Sequence, residues 1–264
     1  MSSFLILLWT CWSLLVAADT DIFIPQVAAG RDPVSGLFFK TTFHMWNLSN
    51  EEVSGRIELF KNNGEPMNGF IMVVGPPAML GYTSSGTFSI PPNGSFMPPT
   101  ATEWASFALQ EIPYLVGWAK VTTSSPVGLI VTIAALSRDE FKSYTVVTST
   151  SLVTETLTAF STFGLIDYKA ATGLAILNPS ETKQREIHLH LFDTFGIQRG
   201  ERTLTLLPRG KIVQFLHEEA FFPELRDKTV QGPLEVTADG PIAAAAIRVD
   251  DTYWSGFQLI SQSP

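Results

Sequence analysis

Ile187-His188-Leu189-His190-Leu191 alternates apolar and polar residues without a break. A period of two is the signature of a strand with one buried face, because successive side chains leave opposite sides of the pleat. Arg202-Thr203-Leu204-Thr205-Leu206 repeats the pattern, and Leu207-Pro208-Arg209-Gly210 supplies the turn residues that end it. Downstream, Leu234-Glu235-Val236 leads to a predicted turn at Thr237-Ala238-Asp239-Gly240-Pro241. A near-continuous apolar run over 242–249 then suits a central strand. Short strands separated by turn signals predict an all-β chain, an antiparallel sandwich or barrel. No long amphipathic helix is present, and the best helical candidates are the short segments 101–111 and 217–225.

Working outward, the same pattern is spelled twice. Leu177-Asn178-Pro179-Ser180 answers Trp46-Asn47-Leu48-Ser49, and Leu191-Phe192 with Gly196 answers Leu59-Phe60 with Gly64. Leu206-Leu207-Pro208-Arg209-Gly210 answers Ile90-Pro91-Pro92-Asn93-Gly94, and Gly232-Pro233-Leu234-Glu235-Val236-Thr237 answers Gly117-Trp118-Ala119-Lys120-Val121-Thr122. Pro241-Ile242 answers Pro126-Val127. A repeat unit is a folding unit. Two tandem β-sandwich modules are therefore expected, 21–149 and 157–264, joined through a short Ser/Thr/Val stretch that holds them nearly in contact. The first copy carries sixteen more residues between Gly64 and Ile90 than the second has between Gly196 and Leu206. They include Phe70-Ile71-Met72-Val73-Val74-Gly75-Pro76-Pro77, which predicts an added strand or hairpin.

Residues 4–18 form an uncharged apolar run followed by Asp19, Thr20 and Asp21, with Val16 and Ala18 placed as a small-residue cleavage site requires. This reads as a signal peptide over 1–18, too short for a membrane anchor, and implies a secreted or periplasmic protein with no integral membrane segment after cleavage. Cys11 is the single cysteine, so the mature chain is expected to have no disulfide and no thiol chemistry. Charged residues make up 16% of the chain and hydrophobic ones 45%, the balance of a folded protein with a Ser/Thr/Gly/Pro-rich surface. The net charge of −8 opposes nucleic acid as a partner.

Phe23-Ile24-Pro25-Gln26-Val27 with Gly30, followed by a strand ending in Trp46-Asn47-Leu48-Ser49, resembles the opening of a tandem β-sandwich repeat of unknown function found in exported bacterial proteins. Gly173-Leu174-Ala175-Ile176-Leu177-Asn178-Pro179, Leu206-Leu207-Pro208-Arg209-Gly210 and Phe215-Leu216-His217-Glu218 are similar to the same repeat. The resemblance implies a small β-sandwich module, often in tandem or beside other exported domains. It implies no named activity, and its Asn and Gly positions read as turn residues.

Residues with chemical potential have structural readings beside them. His188 and His190, two apart on a strand, share a face and resemble a metal pair, with His217, Glu218 or Glu219 as further ligands. The same spacing places them on the outer face of a half-buried strand, so no zinc or other cofactor is expected. Asp239, Asp250 and Asp251, or Glu51-Glu52, lack the Asp-x-Asp-x-Asp spacing of a calcium loop. No G-x-S-x-G elbow occurs, and His44, like the other three histidines, has no nucleophile context. Glu111, Glu218 and Glu219 are the carboxylates to inspect for glycoside cleavage.

Among the aromatics, Trp46 and Trp118 fall at strand positions that suit the core. Trp104 and Trp254 are the candidate ligand-binding platform, with Tyr82, Tyr114 and Tyr253 as further flat faces. Asn47-Leu48-Ser49 and Asn93-Gly94-Ser95 match a glycosylation sequon. Taken together, the residues favour an exported non-enzymatic module for structure or adhesion, with a protein or polysaccharide at the cell surface as partner. A carbohydrate-binding module is the first alternative, and a hydrolase with an unrecognised site the second.

Overall fold

The structure, a computed structural model, describes residues 20–33, 36–68, 70–74, 79–97, 114–136, 143–146, 156–167, 169–250, 254–257 and 259–261. The expected signal peptide, the candidate helix 101–111 and most of the stretch between the two expected modules lie outside them. The described chain is nearly all β. Its first half contains β1 (Thr20–Arg31), β2 (Phe38–Asn47), β3 (Val53–Lys61), β4 (Phe70–Val74), β5 (Met79–Thr83), β6 (Ser85–Ile90), β7 (Ser95–Phe96), β8 (Leu115–Thr123), β9 (Val127–Leu136) and β10 (Ser143–Val146). Its second half contains β11 (Leu157–Ile166), β12 (Ala170–Leu177), β13 (Arg185–Phe192), β14 (Gln198–Leu206), β15 (Lys211–Phe215), β16 (Val230–Asp250), β17 (Trp254–Phe257) and β18 (Ile260–Ser261).

All pairings among the described residues are antiparallel, and each half has one eight-stranded sheet. In the first, β1 pairs with β8 and, at its end, β2; β8 pairs with β3, and β3 with β6; β2 also pairs with β9 and β7, and β9 with β10. In the second, β11 pairs with β16 and β12; β16 pairs with β13, and β13 with β14; β12 also pairs with β15 and the far end of β16, which pairs with β17. The two pairing schemes coincide, with β16 taking the places of both β8 and β9. The sixteen extra residues of the first half include the β4–β5 hairpin, a two-stranded sheet of its own.

Alternation explains the burial. In β2, Thr41, Phe43, Met45 and Asn47 point inward, and Phe43 and Met45 meet Ile22 and Ile24 of β1, Ile57 and Leu59 of β3, and Leu129 and Val131 of β9 in one core. In β13, Ile187, Leu189 and Leu191 are fully buried and meet Phe160, Leu174, Phe221, Phe222 and Val236 in a second core. Each half thus has its own apolar core.

The corners match in detail. Asn47 Nδ2 donates to the carbonyls of Glu51, Ile90 and Pro91, and its Oδ1 accepts from the Ser49 amide at 2.8 Å. Asn178 Nδ2 donates to the carbonyls of Lys183, Leu206 and Leu207, and its Oδ1 accepts from the Ser180 amide at 3.0 Å. The Asn47 and Asn178 amides donate to the carbonyls of Gly94 and Gly210. Asn93 and Arg209, each following a proline, share a left-handed φ of 56° and 57°.

Two expectations are corrected. The segment 217–225 is not an α-helix: it consists of turns ending in a 3-10 turn at Pro223–Leu225, because Pro223 has no N–H to give a helix and the Ala220 amide donates to the Gln214 side chain instead. The residues 237–241 do not reverse the chain either. They lie inside the single strand β16, which leaves β13 near Ala238 and joins β12 at Ala243. Proline tolerates that position because a strand changing partners needs no ladder donor there. The first half breaks at the equivalent place, between Thr123 and Val127.

Candidate functional site

The junction between the halves gathers the most unusual side chains. At the tip of the β3 hairpin the Gly64 amide donates to the Lys61 carbonyl at 3.0 Å, with Gly64 at a left-handed φ of 84°. The tip lies on the β14–β15 turn of the second half, where the Lys211 amide donates to the Asn62 carbonyl at 2.9 Å. A Cβ on Gly64 would come within 2.6 Å of Arg209 Cβ, so only glycine permits this approach.

Behind the tip, Phe60 and Trp118 stack with ring centroids 4.1 Å apart and bury Leu177 of the second half, with Phe23 and Ala243 beside them. The Arg209 guanidinium sits 5.2 Å from the Phe60 centroid and pairs with Glu181 at 2.5 Å. Gly117 carries no Cβ because the Phe60 carbonyl occupies that space, and Gly232 faces the Phe192 carbonyl in the same way.

Lys211 is buried in this junction and inserts its amine into the first half. Nζ donates to Gln26 Oε1 and to the Gly117 carbonyl at 2.7 Å. Burial pushes its pKa down from 10.5 to about 7. A neutral amine has two N–H donors, which match these two acceptors. Nothing in the local sequence singles out this residue except a lysine opening an apolar strand, where the first half has Ser95.

Beside the lysine the halves leave a cleft of about 200 Å³. Ile24, Gln26, Phe39, Tyr114 and Ile133 form the wall from the first half; Ala175, Val213, Phe215, Glu218 and Ile247 form the other. Phe39 and Tyr114 lie 5.8 Å apart, and burial, reinforced by Asp32, raises the Tyr114 pKa. Glu218 Oε2 accepts from the Phe215 amide at 2.7 Å, and Gln214 Oε1 from the Ala220 amide at 2.8 Å. These polar groups hold the turn after β15, so the cleft is chiefly an apolar slot.

Of the residues singled out from sequence, Tyr114 and Glu218 meet in the cleft, whereas the described metal candidates are not brought together. His188 Nε2 lies 3.1 Å from Glu186 and its Nδ1 3.1 Å from Thr203; His217 stacks on Phe215 instead. Among the described residues no three His, Cys, Asp or Glu side chains converge as metal ligands. Asp239 Oδ1 accepts from the Glu186 amide, and the Glu219 carbonyl from Arg202. Glu51 and Glu52 are exposed, and Asp250 lies 3.8 Å from Arg248. Trp118 is buried, as expected of a core strand position, whereas Trp46 is half-buried and its ring occupies the space a Cβ on Gly128 would take. Trp104, Glu111 and Asp251 lie outside the described residues, as do the side chains of Trp254, Tyr82 and Tyr253. The Asn47 amide is consumed inside its corner, leaving no room for a glycan; Asn93 is exposed.

No family model matches the chain, and no curated protein or solved structure is significantly similar to it.

Proposed function

We propose that the chain is an exported, non-enzymatic structural or adhesion protein, made of two tandem β-sandwich repeats over 21–149 and 157–264 behind a signal peptide at 1–18. The observation that carries this reading is the junction. Side chains of both halves are spent on joining them end to end through Phe60, Trp118, Leu177, Arg209 and Lys211. The corresponding corners, Asn47 with Gly94 and Asn178 with Gly210, support the duplication. Spacing two folded units rigidly is the task of a structural or adhesive element, whose partner is a protein or polysaccharide at the cell surface.

Fractionation of expressing cells tests the reading. The protein should appear in the periplasm or medium with Asp19 as its first residue, and the purified form should be retained by cell envelopes without turning over glycoside, ester or peptide substrates. Cytoplasmic retention, or turnover lost in Glu218→Gln, would contradict it. The cleft supports a second reading, a binding module. Its aliphatic and aromatic walls suit a small apolar group better than the hydroxyls of a sugar. Displacement of a fluorescent apolar probe by Ala245→Trp, which fills the slot, is the corresponding test.

A further inference from the structure

The face that the first half buries against the second recurs, uncovered, on the second half. Phe192 occupies the place of Phe60, Pro233 that of Trp118, and the tip Asp193-Thr194-Phe195-Gly196-Ile197 that of Lys61-Asn62-Asn63-Gly64-Glu65. The hairpin geometry is shared: the Gly196 amide donates to the Asp193 carbonyl and the Asp193 amide to the Ile197 carbonyl, as Gly64 does to Lys61 and Lys61 to Glu65. Phe60 and Trp118 are buried, whereas Phe192 is half-buried and Pro233 exposed; on the tip, where the first half has exposed Asn63 and Glu65, Phe195 is 86% exposed and Ile197 53%, with Phe163 beside them 42%. The tip is stiff. Asp193 accepts from the Phe195 and Ile197 amides at 2.9 and 3.0 Å and pairs with Arg199 at 2.6 Å. Exposed apolar groups held on a rigid tip mark a contact surface.

The complementary face is present on the same chain. In the covered junction the receiving surface comprises Leu177, Arg209, Lys211, Val213 and Ala245. The first half presents Trp46, Asn93, Ser95, Met97 and Ile130 at the equivalent positions. Met97 is 51% exposed and Ile130 37%, and Trp46 is half-buried.

We propose that the bare tip of one molecule docks on the first half of a second copy of this chain, continuing outside the chain the end-to-end contact made within it. Such an interface is heterologous: the two copies use different surfaces, so each addition leaves a free tip and a free receiving face. Linear chains of copies result. The net charge of −8 on each copy opposes the contact, so salt strengthens it. The inference rests on the end-to-end packing of the halves and not on export or adhesion, which stand or fall with the fractionation experiment.

Two measurements on the purified protein test it. In sedimentation velocity the average mass should rise with concentration without a plateau at dimer, and rise further in high salt. Phe195→Asp/Ile197→Asp should remain monomeric with an unchanged melting temperature, since both side chains are exposed. In a Cys11→Ser background, Thr194→Cys and Ser95→Cys should form a disulfide-linked pair when mixed, because their counterparts Asn62 and Lys211 share a backbone hydrogen bond. Neither variant should cross-link alone. A monomer at every concentration and salt would overturn the proposal, as would Thr194→Cys linking to itself, the mark of a two-fold dimer. Binding of the tip to phosphatidylcholine–phosphatidylglycerol vesicles without self-association would overturn it as well.

Discussion

The β3–β6 and β13–β14 connections place hairpin tips with the same hydrogen bonds at the same corner of each half, yet the residues behind the first tip are covered by the other half and those behind the second are not. The first tip is polar, Asn62-Asn63-Gly64-Glu65, keeps its side chains exposed and meets the other half through the Asn62 carbonyl, with the apolar contact set back at Phe60 and Trp118. The bare tip carries its apolar groups at the end, in Phe195 and Ile197. A contact inside one chain has no association entropy to overcome, so it tolerates a polar tip. A contact between molecules must overcome that cost and gains from apolar groups at the point of encounter.

The strongest way to break the comparison is to remove what only the covered side has. Trp118→Ala empties a buried stack and should cost about 3–5 kcal/mol. It should also split thermal unfolding into two transitions by calorimetry, as the halves lose their coupling; the equivalent Pro233→Ala should do neither. A single unchanged transition in Trp118→Ala would mean that the junction does not couple the halves.

The corners should instead respond alike. Asn47→Ala and Asn178→Ala each remove a buried amide that ties three carbonyls, at about 2–3 kcal/mol apiece. Urea midpoints differing by more than the whole effect of one would argue against equivalent corners.

Lys211 belongs to the covered side alone. Its pKa is about 7 when folded and 10.5 when free, so unfolding takes up a proton between those values and stability rises with pH across that window. Below about pH 7 the amine is charged in both states and the burial cost is fully present. Relative to Lys211→Met, the wild-type melting temperature should therefore climb from pH 7 to 10; parallel curves would show that burial does not hold the pKa down.

The smallest effect compares the two left-handed turn residues. Asn93→Gly should change stability by less than about 0.5 kcal/mol, since asparagine tolerates that backbone. Arg209→Gly gains local freedom but loses the contact with Phe60 and the Glu181 pair, and should be about 1 kcal/mol less stable by urea denaturation. Equal responses would mean that Arg209 contributes nothing across the junction.

Much of the all-β reading was legible in residues 187–191, because a two-residue period has one structural cause, and Asn178-Pro179 and Pro208-Arg209-Gly210 carry their own turn chemistry. The continuity of β16 was not legible: Asp239-Gly240-Pro241 has turn composition, and only the change of partner strands makes it a bend. Phe221-Phe222 and Leu225 read as a helical spacing until the core that takes them is known. Of the candidate site, Glu218 and Tyr114 were visible as residue types, but their convergence on a cleft was not. Lys211 was missed because its significance comes from Gln26 and Gly117, distant in sequence. Nothing in the strings around Phe60 and Phe192 tells which one is covered, since that depends on a neighbour in space.

Hydroxyl-radical footprinting across a range of protein concentrations reads these side chains together. The account predicts Phe60 and Trp118 protected at every concentration, and Phe195 and Ile197 reactive in dilute solution but increasingly protected as the protein is concentrated. Phe60 and Trp118 reacting as fast as Phe195 in dilute solution would contradict it at its centre, because the junction behind the first tip would then be open.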